Sequence, residues 1–136
     1  MFSREPEASL LPYLQQEGIG SIAFSPLAQG LLTNKYLDGI PSGSRASKPH
    51  GFLKEKDVSE DKLAKVRALN ELAMERGQSL AQMSLAWALR NHTVTSVLIG
   101  ASSAAQIAEN VKALDNLEFS EEELQRIEAI LQSDAK

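Results

Sequence analysis

The sequence predicts a single α/β domain, and three observations support this fold class. Helical and strand patterns alternate along the chain, which is the order of an α/β fold. The second predicted strand is continuously apolar, as expected of a strand that is covered on both faces in a parallel sheet. The length of 136 residues leaves room for one domain only. We therefore treat residues 1–136 as one segment.

The first part of the chain predicts a helix, a strand and a long loop. Three leucines lie on one side of a helix near residues 9–16, and Gly18 ends it. The β-branched and aromatic side chains of residues 19–24 predict a buried strand. From Leu27 to about Val58 no period is sustained and glycine and proline recur, so we expect a long loop. Loops of this length usually serve a site.

The second part of the chain predicts two helices, a strand and two further helices. A helix over residues 59–76 has one apolar stripe and Gly77 as its cap. The next helix, residues 79–90, begins with a capping box and is apolar nearly all round, so we expect it to be heavily buried. The second strand covers residues 94–99. The last two helices are capped by Ser103 and Ser120, and each carries an apolar stripe.

The composition excludes several classes of protein. There are 14 Lys and Arg and 18 Asp and Glu, and no basic stretch alternates with aromatic residues, so nucleic acid is not an expected partner. No apolar run approaches about 18 residues, so we expect no membrane insertion and a cytoplasmic location. The absence of cysteine excludes disulfides and thiol catalysis. His50 and His92 lack ligand spacing, and no metal site is expected.

Both predicted strands end in small, loop-forming residues that could bind an anion. Ligands of parallel α/β folds lie at such carboxyl ends. Ser102 and Ser103 stand at the positive end of a helix, where phosphate is favoured. Lys35 and Arg45 follow the first strand within about twenty residues, as binding of a pyrophosphate or a 2′-phosphate would need. Simple helix capping and solvated loop cations remain the alternatives.

The two strand ends also carry a family resemblance. Residues 25–36 read SPLAQGLLTNKY and residues 97–110 read VLIGASSAAQIAEN. They resemble the SPLxxGxLTxKY and IGASxxxQxxEN segments of aldo-keto reductases, which are (β/α)8 TIM barrels that bind NADP(H). Residues 39–41 and 44–47 are similar to the branch with glyceraldehyde-phosphate-type reductases and the β subunits of voltage-gated potassium channels. The likeness runs from about Leu10 to Leu131.

The resemblance implies a cofactor site for NADP(H) and a role for each matching residue. One group would line the pyrophosphate, with a neighbouring loop that folds over the cofactor: Ser25, Pro26, Leu27, Gly30 and Lys35, with Ser44 and Arg45. Another group would hold the adenosine end: Gly100, Ser102, Gln106, Glu109 and Asn110. Arg45 and the serines favour NADP over NAD.

The resemblance implies no catalytic residue in this chain. The family's catalytic aspartate, tyrosine, lysine and histidine lie on earlier strands. Its aspartate lies five residues before its tyrosine, whereas Ala8 precedes Tyr13 and Leu31 precedes Tyr36 at that spacing. A complete barrel needs about 250 residues and eight strands, and the sequence predicts two. We therefore expect the C-terminal part of a barrel, with about two strands and five helices.

An incomplete barrel implies particular partners and leaves three functions open. Unpaired strand edges and bare helix faces predict self-association or docking onto a chain that carries the N-terminal part. The leading hypothesis is the cofactor-binding portion of an NADP(H)-dependent reductase of aldehydes or ketones, inactive by itself. A non-catalytic module that senses nucleotides or binds another subunit is the alternative. An inactive, truncated remnant is the third hypothesis.

Overall fold

A computed structural model describes residues 1–37, 39–40 and 58–133. Within these ranges the helices and strands, in chain order, are α1 (Glu5–Ala8), α2 (Leu10–Gln16), β1 (Ser21–Phe24), α3 (Glu60–Glu75), α4 (Leu80–Leu89), β2 (Val94–Leu98), α5 (Ala104–Val111) and α6 (Glu121–Gln132). Short 3-10 turns lie at Ala28–Gly30, Asn34–Tyr36 and Lys112–Asp115. No helix in the described ranges is long and apolar enough to cross a membrane.

Local signals in the sequence set the ends of these helices. At the start of α4, the Ser79 hydroxyl accepts a hydrogen bond from the Gln82 N–H at 3.2 Å, and the Gln82 side chain accepts one from the Ser79 N–H at 2.9 Å. Ser120 and Glu123 form the same capping box at α6. Gly77 follows α3 with a φ of 68°, a left-handed conformation that commonly ends helices. These predicted helix ends are confirmed.

The two strands lie side by side and run parallel. Ser21 pairs with Val94 at one end, and Phe24 pairs with Leu98 at the other. The connection between them passes through α3 and α4, which is the helical crossover that parallel strands need. Both strands therefore end at the same edge of the sheet, which confirms the predicted α/β order.

The core lies among three helices rather than on the sheet. Val66 and Leu69 of α3, Met83 and Trp87 of α4, and Ile127 of α6 are buried against one another. The predicted burial of α4 is confirmed. A smaller cluster, whose buried members are Leu31, Tyr36 and Leu63, joins the segment after β1 to α3.

The predicted burial of the strands is wrong for this chain. Ile22 and Phe24 of β1 are 64% and 81% exposed, and Leu98 of β2 is 58% exposed. The apolar stripe of α5 is also exposed, at Ile107 and Val111. The physical reason is that β1 and β2 pair only with each other among the described residues, so neither strand has a second neighbour. The expectations of unpaired strand edges and of a bare helix face, here that of α5, are confirmed among the described residues.

A buried arginine joins two of the helices. The Arg76 side chain is only 2% exposed and bonds to the Glu123 carboxylate at 2.7 Å and to the carbonyl oxygen of Glu118 at 2.9 Å. Its guanidinium also stacks 3.8 Å from the centre of the Phe119 ring. This arginine therefore ties the end of α3 to the beginning of α6.

The short helix α1, which the sequence analysis did not predict, is held by a second arginine cluster. Arg4 and Arg90 both stack on the Trp87 ring, at 4.9 Å and 3.5 Å from its centre. Glu7 pairs with both arginines, at 2.7 Å and 3.1 Å. Burial alone would raise the pKa of the Glu7 carboxyl, but its bonds to these two guanidinium groups lower the pKa overall. The cluster thus stabilises α1 through contacts that lie far apart in the sequence.

Candidate functional site

A cleft of about 430 Å³ lies where β1 and β2 end. Because Phe24 and Leu98 are the last residues paired in the sheet, the segments that follow them leave side by side. Residues of the turn after β1 form one wall, and residues 98–102 with Gln106 form the other. The cleft is therefore at the carboxyl edge of a parallel sheet, where α/β proteins bind ligands.

The turn after β1 has an unusual backbone. Ser25, Ala28 and Gln29 have φ angles of 52°, 47° and 61°, and Gly30 follows with 99°. Residues other than glycine rarely adopt this left-handed backbone conformation, which costs about 1 to 3 kcal/mol at each residue. Hydrogen bonds hold the turn closed, including those from the Ala28 N–H to the Ser25 carbonyl at 3.0 Å and from the Gly30 N–H to the Leu27 carbonyl at 2.8 Å. Strain of this kind concentrates at functional sites.

The other wall is the beginning of α5. The Ser103 hydroxyl caps the helix by accepting a hydrogen bond from the Gln106 N–H at 3.2 Å. The Gln106 side chain reaches back, and its oxygen accepts from the Ser102 N–H at 2.9 Å and from the Ser102 hydroxyl at 3.2 Å. The capping prediction is thus confirmed, with Ser102 in place of Ser103 as the partner of the Gln106 side chain. The positive end of the helix dipole faces the cleft.

The charge of the cleft favours an anion. Among the described residues that line it, Lys35 carries the only charge, and no carboxylate is present. Lys35 is exposed, and its backbone N–H donates to the Thr33 hydroxyl at 3.2 Å. An exposed ammonium group and a helix N-terminus at one edge of the sheet suit phosphate groups.

Most of the site residues predicted from the sequence come together in this cleft. The predicted residues that line it are Ser25, Pro26, Leu27, Gly30, Lys35, Gly100, Ser102 and Gln106. Glu109 does not line it: its carboxylate is exposed and pairs with Lys112, which raises the pKa of that lysine. Ser44 and Arg45 lie outside the described residues, so their predicted roles stay predictions.

Asn110 differs from its expected position at the surface of the site. It is buried, and its side-chain nitrogen has no hydrogen-bond partner in the described part of the chain. It does not line the cleft. The carbonyl of the preceding residue, Glu109, accepts a hydrogen bond at 2.8 Å from the side chain of Gln82 on α4. The end of α5 with Glu109 and Asn110 therefore packs on α4, whereas its beginning, with Gln106, lines the cleft.

Sequence reasoning missed several residues of the cleft: Gln29, Thr33, Leu98, Ile99 and Ala101. The hydroxyl of Thr33 donates to the Gly30 carbonyl at 2.6 Å. The signal that could have identified Thr33 is its place between the glycine turn and Lys35, within the quoted motif. The apolar residues at the end of β2 carried no polar signal.

Neither tyrosine lies at the cleft. Tyr13 is exposed on α2, and Tyr36 is fully buried below the turn after β1. Within the described ranges, no three His, Asp or Glu side chains are grouped as a metal site would need. The described groups that line the cleft are therefore suited to binding an anion.

Comparison with known proteins identifies relatives of the whole chain. The chain is 55% identical over 126 residues to the L-glyceraldehyde 3-phosphate reductase of Escherichia coli (strain K12), which covers 90% of this chain and 36% of that protein. It is 42% identical over 140 residues to a probable voltage-gated potassium channel subunit beta of Oryza sativa subsp. japonica, over 100% of this chain and 43% of that protein. The chain thus spans well under half the length of these relatives.

A solved structure has a similar backbone. The glycerol dehydrogenase of Gluconobacter oxydans matches 96% of this chain with a TM-score of 0.77 and 27% identity, and 39% of its own chain is covered. The model of the Aldo/keto reductase family matches residues 1–132. Because that match takes in nearly every residue, and the relatives agree with it, the chain belongs to the aldo/keto reductase family.

Proposed function

We propose that this chain forms the part of an aldo-keto reductase that binds the phosphates and the adenosine of NADP(H). The observation that carries the proposal is the cleft at the ends of β1 and β2, which has Lys35 as its one charge among the described lining residues and no carboxylate. The strained turn and the start of α5 lie on either side of this cleft. These features suit a dianionic or trianionic ligand better than a neutral one.

The residues present fit such a cofactor, and each has a role that its chemistry can perform. Lys35 would neutralise a phosphate, and the Ser25–Gly30 turn would contact the pyrophosphate through its backbone. Ser102 and Gln106 would meet the adenosine end at the start of α5. When bound, a nicotinamide dinucleotide supplies the hydride that reduces an aldehyde or ketone. Arg45 would give the preference for a 2′-phosphate, and this assignment rests on the family resemblance.

The exposed strand layer supports the proposal that other barrel strands complete the site. Ile22, Phe24 and Leu98 expose apolar side chains on a sheet of two strands. A closed barrel has no strand edges and covers both faces of its strands. The partial barrel would therefore be completed by an N-terminal segment that also brings the proton donor, since neither tyrosine of this chain lies at the cleft. A small carbonyl compound would be the substrate of the completed barrel.

The proposal is tested by calorimetric titration of the protein with NADPH and, separately, with NADH. We expect saturable binding that favours NADPH, and about tenfold weaker binding for Lys35→Gln, because a hydrogen bond to a charged group is lost. Lys62→Gln, which changes a lysine of α3 outside the cleft, is the matched control and leaves the affinity unchanged. Arg45→Ala is expected to reduce the preference for NADPH. Binding that no substitution in the cleft weakens would overturn the proposal.

A second proposed function is a module that senses nucleotides or binds another subunit without catalysis. It is favoured by the 42% identity of the complete chain to the probable potassium channel subunit beta of Oryza sativa. The two functions predict different results when this chain is mixed with a second chain that carries the family's catalytic tyrosine. Reductase activity on mixing supports the first function. Cofactor binding without activity in any such mixture supports the second.

A further inference from the structure

The hydroxyl of Thr33 lies between the strained turn that ends at Gly30 and the lysine that lines the cleft, Lys35. It donates a hydrogen bond to the Gly30 carbonyl at 2.6 Å and accepts one from the Lys35 N–H at 3.2 Å. Gly30 is the last residue of the strained turn, and Lys35 carries the cation. One side-chain atom thus joins the turn to the backbone of the lysine.

The turn needs outside contacts, because its left-handed residues are strained. Ala28 and Gln29 would relax to a right-handed or extended backbone in a free peptide. Below the turn lies Tyr36, which is fully buried, and a Cβ added to Gly30 would lie 3.6 Å from its ring. Ala28 packs against the same cluster. The strained turn therefore packs on the buried ring of Tyr36, and the Thr33 hydroxyl bonds to its last carbonyl.

We propose that Thr33 is a positioning residue for anion binding. Its hydroxyl fixes the backbone of Lys35 relative to the Gly30 turn, so that the ammonium group and the turn approach an anionic ligand as one unit. This role rests on the proposed function, since it acts through Lys35 on the phosphates of the cofactor. Pre-organisation of this kind increases affinity because less conformational freedom is lost on binding.

The competing explanation is that Thr33 only caps the short 3-10 turn at Asn34–Tyr36. A cap affects stability but has no particular connection with the charge of Lys35. The two explanations differ in the salt dependence of binding. If Thr33 acts through Lys35, its loss reduces the electrostatic part of the affinity, which salt screens. If it only caps, the salt dependence stays as in the parent protein.

The experiment compares Thr33→Val with Thr33→Ser by titration with NADPH at low and high ionic strength. Valine keeps the shape of threonine and suits the extended backbone at this position, where φ is −144° and ψ is 168°. We expect about fivefold weaker binding for Thr33→Val, with a smaller salt dependence, because two hydrogen bonds are lost. Thr33→Ser keeps the hydroxyl and is expected to bind within about twofold of the parent. Thr95→Val, on the exposed side of β2, is the matched control.

Combination with Lys35→Gln separates this proposal from the proposed function. We expect Thr33→Val to have little further effect once Lys35 is glutamine, since the two residues act as a unit. If Lys35→Gln itself leaves the affinity for NADPH unchanged, the proposed function is wrong. If Lys35→Gln weakens binding but Thr33→Val does not, or if the two effects simply add, the role of Thr33 is wrong. A melting curve of each variant verifies that the protein is folded in every titration.

Discussion

The helices α3, α4 and α6 form a helical layer, and β1 and β2 form a strand layer. The apolar residues of these two layers have different surroundings. In the helical layer Leu69 and Ile127 are fully buried by contacts within the chain. In the strand layer Phe24 is 81% exposed, although phenylalanine is among the residues most often buried. The comparison shows that a sequence can specify apolar helices and strands alike while the chain buries the apolar side chains of only some of them. The following substitutions test this difference.

The largest expected effect is in the helical layer. Leu69→Ala removes a buried side chain of α3 that packs on α4 and α6. We expect the free energy of unfolding to fall by about 2 to 5 kcal/mol, because the apolar contacts are lost and a cavity remains. Urea denaturation measures this change. A loss below about 1 kcal/mol would mean that the helical layer is not a packed core.

The next effect concerns the buried arginine that joins α3 to α6. Arg76→Leu removes the guanidinium that donates to the Glu123 carboxylate and to the Glu118 carbonyl. We expect a loss of about 1 to 3 kcal/mol in unfolding free energy, since hydrogen bonds made by a buried charged group are lost. Arg126→Leu is the matched control, because Arg126 pairs with Glu75 at the surface, where water and salt screen the interaction. Equal losses for the two variants would contradict the structural role of Arg76.

A smaller effect is expected from pH. Burial alone would raise the pKa of the Glu123 carboxyl, but the Ser120 N–H and the Arg76 guanidinium lower it overall below its ordinary value of 4.5. A carboxyl group with a lowered pKa in the folded state stabilises the protein above the unfolded value, and this contribution is lost as pH falls through the folded value. We therefore expect the unfolding free energy to decrease as the pH falls below about 4.5.

Glu123→Gln isolates this contribution. The variant is expected to be less stable than the parent at pH 7 and to lose less stability on acidification. Denaturation curves between pH 3 and pH 7 measure both quantities. Parallel pH profiles for the two proteins would show that Glu123 does not carry the effect.

The smallest effect is expected in the strand layer. Phe24→Ala removes a ring that is mostly in water, so we expect the unfolding free energy of this chain to change by less than about 0.5 kcal/mol. In a protein where further strands cover β1, the same substitution is expected to cost about 3 to 5 kcal/mol. Denaturation of both forms makes the comparison. A large loss in this chain alone would show that its strand layer is already covered.

The features that the sequence predicts well are local. Ser79 with Gln82 and Ser120 with Glu123 form capping boxes because both partners lie within one helical turn. The cleft residues Ser25 and Ser102 could be predicted because Ser25 directly follows β1, Ser102 lies in the loop after β2, and parallel strands end at one edge. By contrast, the exposure of Ile22 could not be predicted, since an apolar strand reads the same whether or not its neighbours are present.

Two residues of the quoted motifs show what a short motif leaves open, namely which way a helix faces and which path a loop takes. Asn110 lies within a quoted motif, yet it is buried, and its side-chain nitrogen has no hydrogen-bond partner among the described residues. Thr33 lies in the other motif, and its hydroxyl joins the Gly30 carbonyl to the Lys35 N–H because of the path that the loop takes. Packing determines which side of a helix is buried and which path a loop takes, and the spacing of residues in the sequence does not give this packing.

The order of the longer helices and of the strands, most helix ends and the family follow from the sequence, because they depend on neighbouring residues and short motifs. Which apolar residues are covered, and which polar residues meet at the cleft, follows only from the folded chain. The physical reason is that burial and electrostatics depend on every atom that comes near in space. In this chain the helical layer supplies those neighbours, and the described residues leave the strand layer uncovered.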